Sequence, residues 1–203
     1  MTTAASDRPT ATERRRGRPP AASRADVLAA ALHRYLRGRR VDVQAIASEL
    51  GLGRTTIYRW FGSRDLLLGE VLARAVDPVI DLARAGARGN GGAALLDTFD
   101  RLNRSLADAP ALRRFVEDER DAALRVITSG AGTLQPFMVA RIAGLIEEEA
   151  RAGRYDPPVE PATLGYAIVR LAEAFLFNDA AAGMRGDVDR LREVEAALLG
   201  VAA

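Results

Sequence analysis

Along the whole chain the large apolar residues recur three and four positions apart, and no segment alternates apolar and polar residues with period two. That pattern selects helices and excludes sheets. The first stripe runs through Val27, Leu28, Ala31, Leu32, Tyr35 and Leu36, with Ser23 placed to cap its start and Gly38 to end it. Asp42 is a second cap, ahead of Val43, Ile46, Ala47 and Leu50, and Gly51 stops that helix after about two turns. Gly51-Leu52-Gly53 turns the chain into a third short helix, from Arg54 to about Trp60. Ser63 caps a longer helix reaching about Ala85, with Pro78 expected to kink or restart it. Further helices are expected over 93–108, 111–128, 134–152, 161–182 and 187–199, divided by Pro110, Ser129-Gly130, Asp156-Pro157-Pro158 and Gly183 to Gly186. The expectation is an all-α protein of about nine helices, a three-helix head carrying a helix-turn-helix followed by a helical bundle.

With 203 residues the chain can bury roughly two thirds of its unfolded surface and needs no staple. It has no cysteine, which excludes disulfides, thiolate zinc sites, iron–sulfur clusters and a cysteine nucleophile, and fits a reducing cytoplasm. The longest uncharged stretch, 126–140, is broken by Gly130, Gly132 and Pro136 and falls short of the ~20 apolar residues of a membrane span. Residues 1–10 hold no apolar run, so no secretory leader is expected, and the reading is a cytoplasmic protein without membrane contact.

The formal net charge of +2 hides a split: residues 1–64 hold 13 arginines against 5 acids, and residues 65–203 hold 16 against 22. A basic head on an acidic body is what a polyanion-binding unit joined to a non-binding one looks like. All 29 strongly basic residues are arginine. Arginine is the better fork for phosphate and guanine, although the base composition that also favours alanine accounts for the same bias.

Enzymatic readings find little support. His33, the single histidine, has no sequence partner for general base work. The glycines of 86–92 and 130–132 follow no strand, so neither cradles phosphate. Glu117-Asp118-Glu119 and Glu147-Glu148-Glu149 are consecutive on helices, where neighbours do not share a face, and are expected on solvated surface. No metal or cofactor is expected.

The head is more informative. A reading helix must bury one side and offer the other, by its first turns, to base edges. Ile57 and Phe61 are the inward residues of the third helix. Arg54 and Arg59 suit guanine or phosphate, Thr55 and Thr56 suit phosphate, base edges or a thymine methyl, and Tyr58 and Trp60 combine a flat body with one polar atom. The same aromatics would equally serve as the core of a three-helix domain.

The run from Ile46 to Leu67, Ile46-Ala47-Ser48-Glu49-Leu50-Gly51-Leu52-Gly53-Arg54-Thr55-Thr56-Ile57-Tyr58-Arg59-Trp60-Phe61-Gly62-Ser63-Arg64-Asp65-Leu66-Leu67, resembles the helix-turn-helix signature of TetR-family transcriptional regulators. It departs from that pattern at Gly53, where Ser or Thr is usual, at Trp60, where His is frequent, and at Arg64, where Lys is usual. Two blocks, 60–71 and 163–179, are similar to the QsdR-like subgroup, associated with control of lactone breakdown. The resemblance implies a one-component regulator, most simply a repressor, that binds a palindromic double-stranded DNA operator as a homodimer and is released by a small hydrophobic effector. It makes Arg64 a phosphate contact beside Arg54, Thr55, Thr56, Tyr58, Arg59 and Trp60. The Arg14 to Pro19 segment lies just ahead of the first helix, where Arg16 and Arg18 can enter a minor groove or merely solubilise a tail.

Three units are therefore expected: a basic arm over 1–22, a DNA-binding domain over 23–67, and a ligand-binding and dimerisation domain over 68–203. Leu164, Ile168, Leu171, Phe175 and Asn178 form one stripe, and Tyr166, Val169, Glu173 and Phe177 fall elsewhere around the same helix. A helix apolar on more than one face must be covered on more than one side; the resemblance to the TetR family implies a dimer built on the last two helices, which this pattern fits, as do two helices that only complete the monomer's core. For the effector, Phe115, Phe137, Met138, Tyr166 and Phe177 are the candidate apolar lining, and Arg141, Arg170 and Asn178 the candidate orienting groups. Such a lining suits a hydrophobic molecule with a lactone or acyl group. Aromatics at helical spacing are also what a plain core requires, and Arg170 can simply pair with Glu173. The rival reading is an architectural helical protein that binds nucleic acid without sequence preference.

Overall fold

The computed structural model describes residues 22–178, 183 and 186–202. Among them there are ten α-helices and no strand: α1 Arg24–Leu36, α2 Val43–Glu49, α3 Arg54–Phe61, α4 Arg64–Ala85, α5 Gly91–Asp108, α6 Pro110–Asp118, α7 Arg120–Thr128, α8 Leu134–Arg151, α9 Pro161–Glu173 and α10 Val188–Leu199. A five-residue π turn, Ala174–Asn178, continues α9. The expected caps are in place. Ser23 and Asp26 form a reciprocal capping box on α1, in which the Ser23 hydroxyl accepts from the Asp26 N–H. Asp42 Oδ1 accepts from the Gln44 and Ala45 N–H groups at 2.7 and 3.3 Å at the start of α2, and the Ser63 hydroxyl from that of Leu66 at 3.1 Å on α4.

α1 packs against α2, α3 and α4, closing the head, while α4 runs on to meet α5, α7 and α8. Helix α8 lies along α9, and α10 covers α5 and α9. One continuous apolar core links the two ends, from Val27, Ile46 and Ile57 in the head through Leu67, Ile80 and Leu95 to Ile146, Leu164 and Leu199. The head is thus not a separate bead on a string. Gly165 makes the α8–α9 crossing close, since a Cβ there would lie 2.9 Å from the Ala143 backbone nitrogen.

Three expected boundaries shift. The helix expected over 111–128 is two, α6 and α7, broken at Glu119, whose backbone sits at φ −136°, ψ 47°. Helix α5 begins at Gly91 instead of 93, because Gly91 takes φ +58° and donates its N–H to Glu149 at 3.1 Å. The helix expected over 161–182 keeps α geometry only to Glu173 before the π turn; 179–182 lie outside the described residues. Helix α4 is neither stopped nor restarted at Pro78.

Glu149 also corrects the surface expected for its acidic run. Its side chain is 1% exposed and receives Arg84, Arg154 (Nε at 2.8 Å, Nη2 at 3.0 Å) and the Gly91 N–H. The hydrogen bonds from Arg154 and Arg84 outweigh burial and hold its carboxyl down at about 2. This one carboxylate ties α4, the start of α5 and the end of α8 together.

Candidate nucleic-acid interface and ligand cavity

Helix α3 meets the rest of the head through Ile57 and Phe61, both buried. Its opposite side presents Arg54, Thr55, Tyr58 and Arg59 to solvent, with Thr56 and Trp60 half-buried at the edges. The 100° step of an α-helix produces this division from the sequence Arg54-Thr55-Thr56-Ile57-Tyr58-Arg59-Trp60-Phe61. Between core and surface, Tyr58 takes the surface at 42% exposure, Phe61 takes the core, and Trp60 leans against it. The far end of α3 is fastened by Arg24. Its guanidinium lies 4.4 Å from the Phe61 ring centroid, pairs with Glu70 of α4, and donates to the Trp60 carbonyl at 3.4 Å. Gly53 gives α3 no side-chain cap. Arg16 and Arg18 lie outside the described residues.

Arg64 is placed differently from a phosphate-facing side chain. Its Nε donates to the Val41 carbonyl and its Nη2 to Glu119 Oε1, both at 2.8 Å. Arg40 Nε reaches Glu119 Oε2 at 3.4 Å. The break at Glu119 swings this carboxylate under the head, so the guanidinium finds an internal partner, and Glu119 leaves the solvated face on which it was expected. Arg64 and Glu119 stitch the head to the bundle.

Behind the head, α1, α4 to α10 and the π turn line a cavity of about 350 Å³, walled mainly by aliphatic side chains such as Leu72, Val76, Leu102, Ile142 and Ile168. Of the candidate lining, Met138 and Phe177 belong to this wall, Phe177 by way of the π turn. Phe115 is buried against Tyr35 in an edge-to-face pair, ring centroids 6.4 Å apart, and Phe137 packs on the core outside the wall. Arg141 spans from α8 to Asp77, at 2.9 Å, and Asp81 on the flank of α4. Tyr166 is 52% exposed, and Arg170 sits outside the wall, donating to Glu173 at 2.7 Å and to the Thr128 carbonyl at 3.1 Å. The helix phase explains both. Once Leu164, Ile168 and Val169 face inward, positions 166 and 170 must face out. Asn178 closes the π turn, and its side chain lies outside what the structure describes.

The buried polar groups of the wall are others: Asn103, Glu173 and Glu195. Asn103 Nδ2 donates to both Glu195 oxygens, at 3.0 and 3.2 Å. Burial pushes the Glu173 carboxyl up to about 7 against the opposing charge of Arg170, and that of Glu195 to about 8 against the Asn103 hydrogen bond. A sequence signal for them existed. Glu195 falls in the stripe Val188, Leu191, Leu199, and Glu173 continues Gly165 and Val169 at four-residue steps, so each acid stands where an apolar residue belongs.

A helix-turn-helix head with an exposed reading helix, sharing one core with a bundle that holds an apolar cavity, defines the class of helical transcriptional regulators. The chain belongs to the TetR family: the family model described as tetracyclin repressor-like, C-terminal domain, matches residues 90–200. Its fold is similar, with a TM-score of 0.83 and 29% identity over 89% of this chain and 95% of the other, to the transcriptional repressor QsdR of R. erythropolis, so it is QsdR-like within that family. It is also similar to the TetR-family repressor AlkX of Dietzia sp. strain DQ12-45-1b, implicated in biodegradation of n-alkanes, with a TM-score of 0.53 and 22% identity over 88% and 97% of the two chains. That second likeness speaks to the fold alone. No curated protein matches the chain. Among the described residues no helix is long and apolar enough to cross a membrane, and no group of acids and histidines could hold a metal ion.

Proposed function

We propose that this TetR-family regulator is a repressor that binds a palindromic operator as a homodimer in the cytoplasm and is released by a small hydrophobic effector held in the 350 Å³ cavity. The observation that carries the reading is the presence of Tyr35 and Leu36, at the end of α1, in the cavity wall. A guest there bears directly on a helix of the DNA-binding head. Tyr35 in turn packs on Phe115 of α6, and α6 ends at Glu119, the partner of Arg64 and Arg40. A guest that fits one setting of α1 against α6 better than the other shifts the population of head positions, and so the spacing of two reading helices that must meet major grooves roughly 34–36 Å apart. Linkage requires the operator to weaken effector binding by the same factor.

In this reading Arg54, Thr55 and Arg59 face base edges, Thr56, Tyr58 and Trp60 the sugar–phosphate chain, and Arg16 and Arg18 an adjacent minor groove. The domains keep the divisions 1–22, 23–67 and 68–203, with α4 running across the second one. The outer sides of α9 and α10, where Tyr166 and Val194 remain exposed, form the dimer face. Arg64 acts as the stitch to the bundle. The test is selection of bound fragments from random DNA, followed by footprinting and titration of Arg54→Ala and Arg59→Ala. A two-fold symmetric footprint is expected, with Arg59→Ala costing about 1–3 kcal/mol and relaxing preference at one base position. Binding without sequence preference would replace the repressor with an architectural protein, and unchanged affinity in both variants would remove α3 from the groove.

A further inference from the structure

The ionisable groups of the cavity wall are nearly all of one sign. Among the described residues it carries the carboxyls of Glu173 and Glu195 and the Tyr35 hydroxyl, but no arginine or histidine. The two acids come from different helices, α9 and α10, and are 6% and 0% exposed. Glu195 receives a single side-chain donor, Asn103 Nδ2. A carboxylate has about four lone-pair sites, so this one amide donor leaves accepting capacity unused on a residue of the cavity wall. The charged groups around it cancel or add to its burden: Asp100 of α5 raises its proton affinity and Arg192 of α10 lowers it, while Arg192 and Arg104 already answer Asp100. On the α9 side, Arg170 meets Glu173 from outside the wall. Among the described residues Glu195 has no such ion-pair partner; a buried acid in that position keeps its proton, and an apolar guest bringing a positive N–H group supplies what the wall lacks. A guest carrying a carboxylate would meet two acids and no cation.

We propose that the cavity is a receptor for a lipophilic ammonium ion, a compact hydrocarbon-bodied amine whose N–H head is received by Glu195, with Glu173 as the second acid of the same wall. The body rests on Leu72, Val76, Phe99, Ile142 and Phe177. A volume of 350 Å³ is at the small end for ligand sites, which limits the body to a medium-length chain or one or two rings. The proposal rests on reading this cavity as the effector site and adds the class of molecule it takes.

Calorimetric titration of the full chain with octylamine, octanol and octanoate, which share a body and differ in head charge, tests it. Octylamine is expected to bind at least tenfold more tightly than octanol, and octanoate not to bind. Capturing an ammonium ion ionises Glu195, so octylamine binding below pH 8 must release a proton to the buffer, seen as a heat that changes with the ionisation enthalpy of the buffer. Glu195→Gln keeps an acceptor for Asn103 and removes the charge; it should lose tenfold or more for octylamine and leave octanol unchanged, which also shows that the variant cavity is intact. Glu173→Gln is the second variant should the first not fold. Octanoate binding as tightly as octylamine, no proton release, unchanged octylamine affinity in both variants, or no binding of any probe would each overturn the proposal. Octylamine that binds in this manner without releasing the operator would leave the receptor standing and remove the effector role instead.

Discussion

At the scale of single residues, the acids carry most of what the sequence concealed. Glu149 and Glu119 stand in runs of three acids, and a run on a helix spreads over all faces, so composition says solvated and only packing says which member turns inward. Glu149 turns inward because α4 and the loop after α8 bring Arg84 and Arg154 to it and Gly91 offers a backbone donor. Partners 65 and 58 positions away have no local signature. Glu149→Ala should cost about 1–3 kcal/mol, because it leaves the Gly91 N–H without its acceptor and removes two partly solvated ion pairs; urea unfolding monitored by circular dichroism measures this. A loss below about 0.5 kcal/mol would make the cluster a surface feature. The residues of α3 lie at the other extreme. Their placement inward or outward comes from position on one short amphipathic helix, and Arg54, Thr55, Ile57, Arg59 and Phe61 stand on the sides the sequence indicated. Arg64 does not, since its partner comes from a break in a distant helix.

Elements were legible where their ends carry chemistry. Ser23, Asp42 and Ser63 cap α1, α2 and α4, and each side chain accepts the backbone hydrogen bonds that its type predicts. The α6–α7 break carries no glycine or proline, only Glu119 in an irregular conformation held by Arg64 and Arg40, so the periodicity read straight through it. The π turn after α9 is equally silent, although it sets Leu176 and Phe177 in the cavity wall. An extra residue in the turn rotates the side chains beyond it about the helix axis, and that rotation separates Phe177 in the wall from Tyr166 outside. The α8–α9 contact is the element-level feature with the sharpest consequence. Gly165 sits where a Cβ would lie 2.9 Å from the Ala143 nitrogen and 3.1 Å from its Cα and Cβ, all of which belong to a packed helix. Gly165→Val should therefore push the helices apart and cost about 1–3 kcal/mol, lowering the melting temperature by several degrees. An unchanged melting temperature would mean that α8 and α9 can slide freely.

At the scale of the whole molecule, continuity of the core makes the buried carboxyls of the cavity a property of global stability. Glu173 and Glu195 are raised from 4.5 to about 7 and about 8, so the folded chain holds protons that the unfolded chain has released throughout that interval. Their contribution is present in full below pH 4.5 and is lost as the pH rises toward 8, because ionising them then favours unfolding. Glu149 has the opposite sign. Lowered from 4.5 to about 2, it stabilises above pH 4.5 and gives that up only as the pH falls toward 2. The two effects occupy separate windows and can be measured apart. Between pH 4.5 and 8 the melting temperature should fall, and the charge-free variant Glu195→Gln, which imitates the protonated acid, should fall by several degrees less. The same variant should leave the acid limb below pH 4.5 unchanged, since the lowered carboxyls of Glu149, Asp97 and Asp26 shape it and Glu195 is protonated there in either state. Parallel curves for parent and variant across the upper window would mean that Glu195 is already ionised in the folded chain and contributes nothing to this slope.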